Sequence, residues 1–418
     1  MSEAPPKPPR QRRVNVRTPE VMARVQAEVE QHYRSPLVEG VRAQGSVLQI
    51  GNTMVRLARD FGFCYGVERA IDLAYAARRV FADRSVYLLG EIIHNPEVNR
   101  QLDEMGVIRI PIEEHMQRIA ELGEEDVVIV PAFGAETRLM NLIQERGCQV
   151  VDTTCGDVMS VWKRVRSYAK TGFTSIIHGK ASHEETRATS SRALGDAGNG
   201  HFLVVLTLEE VDYVGDYIRH GGDPAEFMRR FKGATSPGFD PDLHLQRIGV
   251  ANQTTMLKSE TEEIQRRLQQ AIVDRDGAET GAENFQVFDT ICGATQERQD
   301  SLFQLLNKPL DILLVVGGYN SSNTTHLVEI GEKQLPTFFI RTASCLEDLT
   351  TIVHFDLHQK AETRSYSEKL ASEAPIVVGI TAGASCPNNL IEDTIYRVFE
   401  LRGIPRDAVL QAAQANGA

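Results

Sequence analysis

Long apolar runs are missing from this chain. Stretches such as Ile312–Val316 stop far short of the ~20 residues of a membrane helix, so no membrane span is expected. Cysteine is scarce, six in 418 residues, and no two stand in C-x-x-C spacing. A disulfide framework and the usual zinc-ribbon and ferredoxin spacings are thereby excluded. No secretory apolar region follows the first Met, and reduced thiols in the cytoplasm are the expectation. A Walker A loop and a dinucleotide glycine fingerprint are both absent, which makes ATP and NAD poor candidates. Basic charge is also short: 45 Lys and Arg against 57 Asp and Glu give a net charge of -12. Residues 1–13 carry a net +3, so the remainder is more acidic still. Neither nucleic acid nor an anionic membrane surface is an expected partner.

What is present is an ordinary globular composition, 42% hydrophobic and 24% charged, long enough for two to four domains. The first 13 residues, with four prolines and Arg12-Arg13, read as a disordered tail. Val21, Val25, Val29 and Tyr33 have helical spacing and predict one surface helix over 18–44, so that 1–53 is an N-terminal extension. From residue 54 short β-branched runs alternate with amphipathic stretches. Strands are predicted at 55–59, 86–89, 127–130, 150–152, 175–178, 203–206, 286–289, 312–316, 337–340 and 376–380. Such alternation implies an α/β fold with parallel sheets, in which ligands bind beyond the carboxyl ends of the strands.

Three of those ends read alike. Phe63-Cys64-Tyr65-Gly66, Asp152-Thr153-Thr154-Cys155-Gly156 and Asp289-Thr290-Ile291-Cys292-Gly293 each lead into a helical stretch, and the last two share Asp-Thr-x-Cys-Gly. The cysteines are 91 and 137 residues apart, and a Gly/Pro/Asp-rich stretch at 207–245 accounts for the excess as an insertion. Three similar units follow, at 54–154, 155–285 and 286–384, with a C-terminal helix and tail at 385–418. They are expected around a pseudo-threefold axis, each pointing one Cys at the centre. A thiol at a helix N-terminus is favoured as thiolate, and three converging thiolates select an iron–sulfur cluster or zinc. The bland alternative is three buried free thiols. Cys148 and Cys345 lack this setting and read as small core residues. Cys386, beside Ser385, is open to either role.

Other strand ends carry polar loops: Ile93-His94-Asn95-Pro96, Ser182-His183-Glu184-Glu185-Thr186, Asn252-Gln253-Thr254-Thr255, Asn320-Ser321-Ser322-Asn323 and Thr381-Ala382-Gly383-Ala384-Ser385. Hydroxyls, amides and backbone N–H groups at helix starts are suited to phosphate.

With these motifs in this order, the chain resembles the 4-hydroxy-3-methylbut-2-enyl diphosphate reductase family over about residues 54–403, in its longer plastid and cyanobacterial branch. The resemblance implies a trefoil of three α/β units around one 4Fe–4S cluster per chain, held by Cys64, Cys155 and Cys292. It implies that His94, His183, Ser321, Ser322, Asn323 and Ser385 bind the substrate diphosphate, that Glu185 relays protons and that Thr254 lies near the substrate alcohol. Phe133 stands where the shorter bacterial branch has a histidine, and it is not counted as a ligand. The implied reaction is reductive dehydroxylation to isopentenyl and dimethylallyl diphosphate, the last step of the methylerythritol phosphate route to isoprenoids. The implied electron donor is reduced ferredoxin or flavodoxin, and the location is the cytoplasm, or the stroma in a plastid-bearing organism. Two other readings use the same cysteines: a quinolinate-synthase-like 4Fe–4S lyase, and a non-catalytic metal-thiolate protein.

Overall fold

The computed structural model describes residues 16–288 and 290–415, so the tail at 1–13, Asp289 and the last three residues lie outside the described residues. The chain divides into two compact units.

One unit comprises Leu73–Ile92 and Leu102–Cys292. It contains two four-stranded sheets, both wholly parallel. In the first, Val107–Ile110, Val86–Leu89, Val127–Val130 and Gln149–Asp152 lie side by side in that order. The inner strand Val127–Val130 is apolar at every position because both its faces are covered, as parallel sheets require. In the second, the order is Phe285–Val287, Ile248–Asn252, Thr174–His178 and Phe202–Val205. The glycine- and proline-rich stretch at 207–245 is more regular than its composition suggests. It forms helices Leu208–His220, Pro224–Arg230 and Pro241–His244, each started by a side-chain cap from Thr207, Asp223 or Asp240. Its Tyr217, Phe227, Phe231 and Phe239 pack into one core with Ile176, Leu203 and Val250 of the sheet.

The other unit comprises Thr18–Asp72, Ile93–Gln101 and Gly293–Ala418. Its five-stranded sheet runs Val47–Ile50, Thr53–Leu57, Ile376–Ala382, Ile312–Val316, Thr337–Ile340, and only the first pair is antiparallel. A hairpin, Thr351–Asp356 with Ala361–Tyr366, forms a separate ribbon.

Two differences from the sequence reading have plain causes. The single helix expected over 18–44 is two, Pro19–Tyr33 and Pro36–Ala43, because Pro36 cannot continue the first and instead starts the second behind a Ser35 cap. The strand expected at 55–59 spans Thr53–Leu57 and pairs in parallel with Ile376–Ala382, so it belongs to the same sheet as the chain's last strand. Period alone carries no information about which distant strand is the partner. Within the third cysteine motif the strand ends at Val287, and Asp289 lies outside the described residues.

Candidate functional site

In the unit that contains Cys155 and Cys292, four expected site residues, His183, Glu185, Thr254 and Cys292, are linked by hydrogen bonds. His183 caps the helix Glu184–Ala193, its Nδ1 accepting from the N–H of Glu185 at 3.2 Å. That helix start buries Glu185, which is 3% exposed. Its carboxylate accepts the Thr254 N–H at 2.6 Å on one oxygen and the Thr254 hydroxyl at 3.0 Å on the other. The Thr254 carbonyl in turn accepts the N–H of Cys292 at 3.2 Å. A single residue therefore ties the acid to a thiol-bearing loop. Gln253 completes the turn, its Oε1 accepting from the Thr186 hydroxyl and from the Lys180 N–H. Cys155 caps the helix Gly156–Lys170 with extended backbone, and its N–H donates to the Ala132 carbonyl at 2.8 Å. The next residue along, Phe133, lies edge-on to the His183 ring, with centroids 6.3 Å apart.

The other unit repeats this construction with different residues. Ser321 caps the helix Ser322–Glu332, and its Oγ accepts from the Thr324 N–H at 3.4 Å and from the Thr324 hydroxyl at 2.9 Å. The Ser385 hydroxyl lies 3.3 Å from both the Ser321 Oγ and the His94 carbonyl. Asn323 is 4% exposed, and its Oδ1 accepts the Ala384 N–H at 2.9 Å. The Ala384 carbonyl accepts the N–H of Cys64 at 3.3 Å. Here too one residue joins a polar site side chain to a cysteine. The Nδ2 of Asn323 is buried with no hydrogen-bond partner among the described residues, a donor left for an incoming acceptor. Gly318 lets the loop close up, since a Cβ there would stand 2.5 Å from the His94 carbonyl.

Sequence reasoning missed several supports. Asn320 Nδ2 lies 3.3 Å from His94 Nδ1. Arg298, 5% exposed, donates through Nε and Nη2 to the Gly62 carbonyl, and through Nη2 to that of Phe63. Tyr33 meets the Phe63 ring edge-on at 5.3 Å. A signal existed for Arg298: Thr295, Arg298, Ser301, Leu302 and Leu305 fall on one helical face, and a guanidinium on a buried face needs carbonyl partners.

The six cysteines separate by exposure. Cys64, Cys155 and Cys292 are partly exposed, while Cys148, Cys345 and Cys386 are buried. Burial pushes the Cys148 thiol up, and that of Cys386 much further, so both stay protonated. An accessible thiol at a loop–helix junction is a soft donor of the kind that binds iron–sulfur clusters. Cys386 is core packing.

No helix among the described residues is long and apolar enough to cross a membrane. The chain matches the family model described as LytB protein over residues 55–399. It is 48% identical over 387 residues to a 4-hydroxy-3-methylbut-2-enyl diphosphate reductase of Gloeobacter violaceus, covering 91% of each chain. A protein of the same name from Thermosynechococcus vestitus is 47% identical, over 91% of this chain and 92% of its own. Among solved structures, E-1-hydroxy-2-methyl-but-2-enyl-4-diphosphate reductase from Plasmodium falciparum shares the fold, with a TM-score of 0.60 at 21% identity, over 85% of this chain and 89% of that one.

Proposed function

Because the chain belongs to the LytB family, we propose that it is an iron–sulfur oxidoreductase that removes the allylic hydroxyl of 4-hydroxy-3-methylbut-2-enyl diphosphate. Two electrons and two protons enter, the C–O bond breaks, the oxygen leaves as water, and a new C–H bond gives isopentenyl or dimethylallyl diphosphate. We assign one 4Fe–4S cluster to Cys64, Cys155 and Cys292. Bound there, it would supply the electrons, and an iron without a cysteine ligand would act as Lewis acid toward the departing oxygen.

The chain's own residues do the rest. Glu185 is the proton donor, and the observation that carries this role is its bidentate tether to Thr254, which fixes the carboxyl beside the Cys292 loop. The Thr254 hydroxyl, within 3.0 Å of that carboxyl, orients the substrate alcohol toward it. The diphosphate is taken by His94, His183, Ser321, Ser322, Asn323 and Ser385. Histidines, hydroxyls and amides supply the several donors that a doubly ionised oxygen-rich group demands. Where bacterial relatives of the shorter branch use a histidine, Phe133 contributes shape, and its edge keeps the His183 ring in place.

The electron donor is a reduced ferredoxin or flavodoxin, and the working location is the cytoplasm, or the stroma in a plastid-bearing organism. The deciding experiment is an anaerobic assay of the iron-loaded protein with reduced viologen and the hydroxybutenyl diphosphate. Formation of the two five-carbon diphosphates supports the reading. A colourless zinc-bound protein that leaves the substrate intact sinks it.

A further inference from the structure

Against the acidity of the whole chain, one groove in the unit containing Cys64 is basic. It has a volume of about 380 Å³ and is lined by Arg42, Arg56, Arg59 and Lys308, with no acidic residue among its lining side chains. The cations form two layers. Arg42 and Arg56 are sunk, and the Nε of each is buried with no hydrogen-bond partner among the described residues. Arg59, whose side chain is 80% exposed, and Lys308 stand at the rim. Asp60 lies 4.0 Å from Arg59 and also accepts the Ser301 hydroxyl, and Glu39, engaged by Arg34, acts on Arg42 as well, so the four cations are only partly offset. Two buried guanidinium donors without acceptors are costly unless an anion meets them.

The groove is also attached to the candidate redox centre. The Arg42 guanidinium lies over the Phe61 ring at 4.1 Å and donates to the Phe61 carbonyl. Phe61 is three residues from Cys64, a Cα separation of at most about 11 Å.

We propose that this groove docks the acidic face of a small one-electron carrier protein, with carboxylates reaching Arg42 and Arg56 while Arg59 and Lys308 steer the approach. The inference rests on the reductase reading, in which two such carriers each deliver one electron per turnover. A protein occupant is favoured over a free anion because half of the cations project past the groove into solvent, where they attract at long range. The chain as a whole, at a net charge of -12, repels an acidic carrier, so a local basic groove is where such a carrier gains attraction.

The test is the double substitution Arg59→Glu with Lys308→Glu, both at exposed rim positions outside the site residues. Using the iron-loaded protein under argon, turnover is driven either by reduced plant-type ferredoxin or by dithionite with methyl viologen. The expected result is a KM for ferredoxin raised roughly tenfold or more, narrowing at high ionic strength, with viologen-driven turnover unchanged. Calorimetric titration with oxidised ferredoxin, which needs no substrate, should weaken in parallel. An unchanged ferredoxin KM and affinity overturn the docking site. So does an equal loss with both reductants, which would show that the groove acts only by shaping the Cys64 loop. If the unsubstituted protein fails with viologen yet still binds ferredoxin through these residues, the reductase reading falls and the docking surface stands.

Discussion

Glu185 has no slack: both oxygens are held by one threonine, and its own N–H donates to the capping His183. Glu185→Gln preserves that frame, because the amide oxygen can still accept the Thr254 N–H while the amide nitrogen faces a hydroxyl able to accept. Substrate affinity measured by calorimetry should therefore stay within a few-fold, while turnover falls by about 10²–10⁴, the usual weight of general acid catalysis. Near-normal turnover would move the proton source elsewhere. The cysteines make a second prediction at this scale. Serine at position 64, 155 or 292 should lose most of the bound iron, whereas Cys148→Ser and Cys345→Ser should keep it, since those thiols are buried, one in an apolar cluster and the other against the Tyr319 hydroxyl. Iron analysis after anaerobic purification reads this directly, and full iron in a Cys155→Ser protein would remove that ligand.

Elements show what the sequence could and could not disclose. Strands such as Val86–Leu89 and Val127–Val130 were legible because four apolar residues bounded by turn residues have little else to become. The polar loops were legible as site material because their residue types have one chemistry in common. Illegible were short strands such as Val107–Ile110, whose central residues are exposed, the Tyr33 support, and the identity of the carbonyls that Arg298 meets, which lie far away in sequence. Tertiary pairing decides these, and no local pattern encodes it. Two element-level predictions follow from close packing. Gly134 has φ +81°, and a Cβ there would stand 2.4 Å from the Trp162 ring, so Gly134→Ala should destabilise by roughly 1–3 kcal/mol in a denaturant titration. Within the 207–245 stretch His244 stacks on the His201 ring at 3.5 Å, and its Nδ1 accepts the Asp240 N–H. Burial, and for His201 also the neighbouring His244, hold both imidazoles below the ordinary histidine range, while Asp240 opposes this only in part. The unfolded chain then takes up protons first as pH falls through about 6.5, so stability should drop below that point. Thermal melts of the wild type and His244→Gln across pH 7.5 to 5 check it. The slope should shrink in the variant.

At the scale of the whole molecule, the acidic body confines long-range attraction for an acidic partner to few places, and salt becomes a diagnostic. Carrier-driven turnover should fall steeply between low and physiological ionic strength, while viologen-driven turnover should hardly respond, because the Debye length is then only ~8 Å. Equal salt responses would show that the reductant is not guided by charge.

The pairing of Thr53–Leu57 with Ile376–Ala382 reaches beyond the finished protein to its synthesis. The strand just ahead of Cys64 waits for more than 300 residues to be translated before its partner leaves the ribosome, and the Cys64 N–H waits for Ala384. Contacts so distant close slowly and leave a bare strand edge in the nascent chain. On the cluster assignment proposed above, metal delivery to Cys64 would follow translation. A ribosome-bound chain stalled before residue 376 would present that thiol in an unformed loop, exposed to oxidants rather than ready for iron.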